Sequence, residues 1–154
     1  MAVAGSPHDT VNFTAPLTAT DAGGGTVDIA LAAPITVADE TETTNTSNVT
    51  NVTKLTLNTG AVAAGNYRLG YCYSWRRTNA NNDCILEILE DGVVIRTHQS
   101  EPKDTGGDQA YPAAGFIHRT LTAATHTYVM RFRGSTNGPT TGISQSVMEF
   151  WQTS

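Results

Sequence analysis

Apolar and polar positions alternate along this chain in short runs, and each run stops at a cluster of Gly, Pro, Asn or Asp. The clearest run is NYRLGYCYSWRR, residues 66–77. Tyr67, Leu69, Tyr71, Tyr73 and Trp75 share one parity there, and Arg68, Gly70, Cys72, Ser74 and Arg76 share the other. Successive side chains of a strand point to opposite faces, so the segment predicts a strand with an aromatic row turned to a core. Leu55 and Leu57 mark a preceding strand over Lys54–Thr59. In CILEILEDGVVIRTH, residues 84–98, Asp91-Gly92 sits between alternating apolar residues, a strong hairpin signal. A two-residue type I′ turn predicts pairing of Glu90 with Val93, Ile88 with Ile95, and Glu87 with Arg96. Leu86, Ile88, Val93 and Ile95 would then share the buried face.

Two strands are predicted after a long loop, residues 99–115, that contains two prolines and several glycines. They are Phe116–Leu121 and His126–Arg133, with Tyr128, Met130 and Phe132 as an inward row. The closing run ISQSVMEFWQ puts Val147 and Trp151 on one face and Met148 and Phe150 on the other. A strand apolar on both faces is either central in its sheet or buried against a partner, so these four are the candidate oligomer-interface or central-strand residues. The candidate core is Leu69, Tyr71, Tyr73, Trp75, Leu86, Ile88, Ile95, Tyr128, Met130 and Phe132. No stretch keeps a 3.6-residue apolar period over three turns, and about seven or eight strands suit an all-β, jelly-roll-like antiparallel sandwich.

The leading residues differ from this body. Residues 1–25 hold Pro7, Pro16 and Gly23-Gly24-Gly25, with few apolar side chains, and predict an extended N-terminal arm. Residues 26–53 read as short strands broken near Pro34, followed by a polar linker, DETETTNTSNVTNVT. Residues 54–154 read as the sandwich body.

Composition narrows the function. The 154 residues carry a formal charge of −5, and their nine Lys and Arg never form a run longer than Arg76-Arg77. That is the opposite of the basic stripe nucleic acid selects, so no nucleic-acid partner is expected. No apolar run approaches the ~18–20 residues of a membrane span, and none is expected to engage a membrane. The N-terminus MAVAGSPHDT lacks the basic and apolar regions of a secretory signal, which predicts synthesis in a cytoplasm. Cys72 and Cys84 both fall in predicted strands and read as reduced core thiols. The sequons at Asn12, Asn45, Asn48 and Asn51 are what chance gives in a chain so rich in Thr and Asn.

Candidate chemistry is sparse. The chain has no G-x-S-x-G, H-E-x-x-H, P-loop or G-x-G-x-x-G motif, so no catalytic residue is assigned and no enzyme activity is expected. His8, His98, His118 and His126 have no ligand spacing, and neither metal nor cofactor is expected. Glu101, Asp104 and Asp108 could offer oxygens to calcium, but Lys103 sits among them and a solvated turn explains the Asp and Gly content. Glu87, Glu90 and Asp91 resemble a glycosidase acid pair only in composition, since pairing with arginine and turn formation account for them. Tyr67, Tyr71, Tyr73, Trp75 and Tyr111 could form a sugar platform, but four of them lie on one strand face, which reads as core.

The run NVTKLTLNTGAVAAGNYRLGYCYSW, then Glu101-Pro102, Leu121–Thr127 and the closing Glu149-Phe150-Trp151, resembles a group of small phage structural proteins. The resemblance covers about residues 48–152 and leaves out the first 47. It implies a jelly-roll-like module on a virion, either decorating the capsid or belonging to a head or tail fibre. On that basis the expected function is a capsid decoration (cement) protein that bridges subunits of the major capsid protein, with a receptor- or glycan-binding fibre module as the alternative. The arm, through Val3, Val11, Phe13 and Leu17, is the expected capsid-binding segment. The body is expected to self-associate, as a homotrimer before a dimer, and the location expected is the virion.

Overall fold

A computed structural model describes residues 17–21, 27–31, 36–103 and 109–153 of the chain. The chain divides into two units, Met1–Pro34 and Ile35–Ser154. In the first, β1 (Leu17–Asp21) and β2 (Val27–Leu31) pair antiparallel, with Leu17 opposite Leu31 and Asp21 opposite Val27. The segment read as an arm to residue 25 therefore contains a strand. Val3, Val11 and Phe13 lie outside the described residues.

The second unit is an antiparallel sandwich. Its strands are β3 (Thr36–Glu40), β4 (Thr44–Thr46), β5 (Val52–Val62), β6 (Gly65–Arg77), β7 (Cys84–Glu90), β8 (Val93–Ser100), β9 (Tyr111–Leu121), β10 (Ala124–Gly134) and β11 (Thr141–Gln152). One sheet runs β5-β10-β7-β8, and the other runs β3-β11-β6-β9 with β4 also on β11. From β8 onward the chain passes from one sheet to the other at every connection, in the jelly-roll manner. β3 and β4 lie in the stretch read as short strands and linker. Their side chains are largely polar because they pair along the margin of β11, where main-chain hydrogen bonds suffice. Likewise Tyr111–Gly115, read as loop, begins β9 opposite Trp75–Tyr71 of β6.

The core lies between the sheets. Leu69, Ile88, Tyr128, Met130, Phe132 and Met148 are fully enclosed, and Tyr73, Trp75 and Leu86 nearly so, while Tyr71 and Ile95 pack at its margin. Tyr67 stacks on Phe150 with centroids 4.9 Å apart, and Tyr128 lies 5.5 Å from the same ring. Such pairs add about 0.5–1.5 kcal/mol each beyond area burial.

Two corrections concern the sequence reading of side-chain direction. The turn at Asp91-Gly92 is the expected one, with φ of 50° and 84°. Glu90 faces Val93 and Leu89 faces Val94, but a bulge then sets Ile88 opposite Arg96 and Glu87 opposite Thr97. The extra residue is Ile95. Val93 is exposed even though its pairing with Glu90 is the expected one, and beyond the bulge the Glu87–Arg96 pair does not form. Glu87 instead accepts from Arg131 Nε on β10 at 2.7 Å. The second correction is Cys72, which is exposed rather than a core thiol; Cys84 is buried, and burial pushes its thiol up to about 12.

Ion pairs clasp the sandwich along both sides. On one, the buried Lys54 ammonium of β5 meets Glu40 of β3 at 2.8 Å and donates to the Glu42 carbonyl at 2.6 Å. On the other, Arg119 of β9 grips Glu90 of β7 through two bonds of 2.8 and 2.7 Å. At one end, the buried Arg77 guanidinium donates to Thr141 Oγ1 and to both the carbonyl and hydroxyl oxygens of Thr136.

Candidate docking surface

The outward face of the β3-β11-β6-β9 sheet is the candidate site, and strand parity builds it. β11 is central in that sheet, between β3 and β6. Met148 and Phe150 point into the core, so Val147, Glu149 and Trp151 point out. The register then fixes their neighbours. Val37 of β3, Glu149 of β11, Gly70 of β6 and Phe116 of β9 form one cross-strand row; Trp151, Arg68 and His118 form the next.

These rows are in contact. The Arg68 guanidinium lies 3.7 Å from the Phe116 ring centroid and 5.4 Å from Trp151. Cation–π contacts of this kind are worth about 0.5–1 kcal/mol at exposed sites. Phe116 also meets His118 edge-on at 5.4 Å. Trp151 lies over Gly70, where an added Cβ would come within 3.1 Å of the indole. Phe116 is 49% exposed and Val37 51% exposed. Along β6 the small residues Gly70, Cys72 and Ser74 leave two adjoining hollows of about 220 and 440 Å³ that meet at Cys72.

β9 is held in register for this display by its inward side. Burial opposes ionisation of Glu90, yet hydrogen bonds from Arg119 and Tyr128 outweigh it and hold its carboxyl below the usual carboxylate range. Nearby, the Asp91 carboxyl is lowered by the Thr127 N–H and by His126, whose imidazole stands 2.7 Å from it. That bond to Asp91 in turn raises His126.

The residues that the sequence alone marks out for chemistry fall elsewhere. Tyr67, Tyr73 and Trp75 are core, and Tyr111 stacks on Trp75 at 4.8 Å, so they offer no sugar platform. Tyr73 and Ser100 both bond His98, the latter at 3.1 Å, but burial holds the Tyr73 phenol protonated and the chain of groups ties β8 to β6. Among the described residues no group of three or more His, Cys, Asp or Glu is placed to hold a metal. Asp104 and Asp108 lie outside them. Sequence reasoning missed Arg68, Gly70, Phe116 and Glu149. The signal for them was the polar parity of β6 and the P-A-F-H parity of PAAGFIHR.

No protein-family profile and no curated protein sequence matches the chain. Solved structures match by shape. The infectious bursal disease virus VP2 subviral particle aligns at TM-score 0.54 and 9% identity, over 88% of this chain and 37% of that one. Dimeric latent PorU from Porphyromonas gingivalis aligns at 0.53 and 8%, over 77% of this chain and 12% of its own. Eiger TNF from S. frugiperda aligns at 0.50 and 8%, over 79% of this chain and 94% of its own. The chain thus spans a small part of the first two. At these identities the likeness is one of fold, a β-sandwich shared with viral capsid proteins among others.

Proposed function

We propose that this chain is a phage virion structural protein, a capsid decoration protein that binds the shell without chemistry and bridges subunits of the major capsid protein. One observation carries the reading: the chain divides into a sandwich with its own core and a leading unit whose described part is a single two-stranded sheet. An isolated two-stranded hairpin is marginal in water and gains order by docking on another surface. The leading unit, with Val3, Val11, Phe13 and Leu17, is the shell-binding part; the sandwich is the displayed part and self-associates, as a trimer. The resemblance of residues 48–152 to small phage structural proteins and the capsid-like fold support the same reading. Deleting residues 1–34 is expected to leave the melting transition of the sandwich in place and abolish binding to purified heads. Full occupancy by the truncated chain would overturn it.

A further inference from the structure

We propose that the outward face of the β3-β11-β6-β9 sheet is where copies of this chain meet, the β3-β11 half of one against the β6-β9 half of the next; this rests on the self-association proposed above. Charge on the face is sorted by half. Asp39 of β3 and Glu149 of β11 point out on one half, both exposed, and Arg68 and Arg76 of β6 point out on the other. None of the four forms an ion pair among the described residues, although Glu149 lies one cross-strand row from Arg68.

Apolar surface is sorted the same way. Val37 of β3 and Phe116 of β9 stand at opposite ends of one cross-strand row, on the two margins of the sheet. Half-to-half contact therefore brings Val37 of one copy to Phe116 of its neighbour in the same step that brings acids to bases. The relief suits such a contact. Val37 and Phe116 project, whereas Gly70, Cys72 and Ser74 of β6 sit low and leave room for a neighbour's side chains. Trp151, Phe116 and two arginines, with no lysine on the face, are also the residue types that protein–protein contacts favour. On the outward face of the other sheet, by contrast, Glu87 pairs with Arg131 within the chain, and Ile85 and Leu89 are already buried.

Other occupants need a different surface. A polyanion or an anionic lipid layer calls for one sign of charge across the face, and here the signs are divided. A second copy of the chain supplies the reciprocal pattern. A closed ring also requires two different patches on each copy, one for each neighbour, and the two halves are such patches.

The test is sedimentation of the full chain over a range of concentrations, for the parent and two variants. Asp39→Lys with Glu149→Lys makes both halves basic; Arg68→Gln with Arg76→Glu leaves both acidic. Each variant alone is expected to associate about tenfold or more weakly than the parent, with an unchanged far-ultraviolet spectrum. Mixing the two is expected to restore association between them. Exposed Cys72, in the middle of the face, gives a readout that needs no variant. Its labelling by a bulky maleimide is expected to be at least several-fold slower in the concentrated parent than in the diluted one, with buried Cys84 unlabelled in both. A parent that stays monomeric removes self-association and this assignment together. A parent that associates, with variants that associate equally tightly or a Cys72 that labels equally fast at both concentrations, overturns the assignment alone. Variants that keep the parent's mass but no longer bind purified heads also overturn it, since the face would then touch the shell.

Discussion

At the scale of single residues, close approaches and charge partners decide what the chain tolerates. A Cβ at Gly134 would overlap Arg77 Nη1, and that guanidinium is already committed to Thr136 and Thr141. Gly134→Ala should therefore destabilise the sandwich by about 1–3 kcal/mol, the usual cost of overpacking, read as a shift in the urea midpoint. The His126–Asp91 pair makes a pH prediction. His126 titrates higher in the folded protein, so its contribution is complete at low pH and is lost as pH rises through that raised value. Asp91 titrates lower when folded, so its contribution is complete above the ordinary Asp value and is lost as pH falls through the lowered one. The two overlap between about pH 4 and 6.5. His126→Gln should cost most in that window, no more than about 1 kcal/mol because Asp91 is half exposed, and the difference from the parent should shrink on either side. A cost that instead grew steadily to pH 9 would show that the pair is not ionic.

At the scale of elements, parity along β11 is the main claim. Met148 and Phe150 face the core and Val147 faces out. Phe150→Ala should cost about 3–5 kcal/mol, Met148→Ala about 2–5, and Val147→Ser about 0.5 or less, measured by thermal melting. Equal costs at Val147 and Met148 would place β11 differently. Much of this was legible beforehand, because an aromatic or aliphatic residue at every second position, as in β6 and β10, leaves one arrangement that buries the row. Three features were not. The bulge at Ile95 adds one residue to β8, and period-two patterning has no sign for an insertion that swaps the faces beyond it. β3 and β4 are largely polar marginal strands whose stability comes from pairing with β11, far away in sequence. The groove on β6 exists only because β9 and β11 flank that strand, so the parity of its polar residues was readable while its walls were not.

At the scale of the whole molecule, the proposed function uses the division of the chain into a leading unit and a sandwich with its own core. Decoration requires that copies of this chain follow the shell lattice, whereas a fibre module sits at a few special positions. Sedimentation of the purified chain should give a trimer, and a monomer at micromolar concentration would remove self-association from the account. The decisive measurement is stoichiometric: purified full-length chain is titrated onto heads stripped of it, and bound copies are counted against the major capsid protein. Saturation at a fixed ratio to that protein, abolished by removal of residues 1–34, is the expected result. Saturation at a handful of copies per particle, or no binding to heads at all, would contradict it.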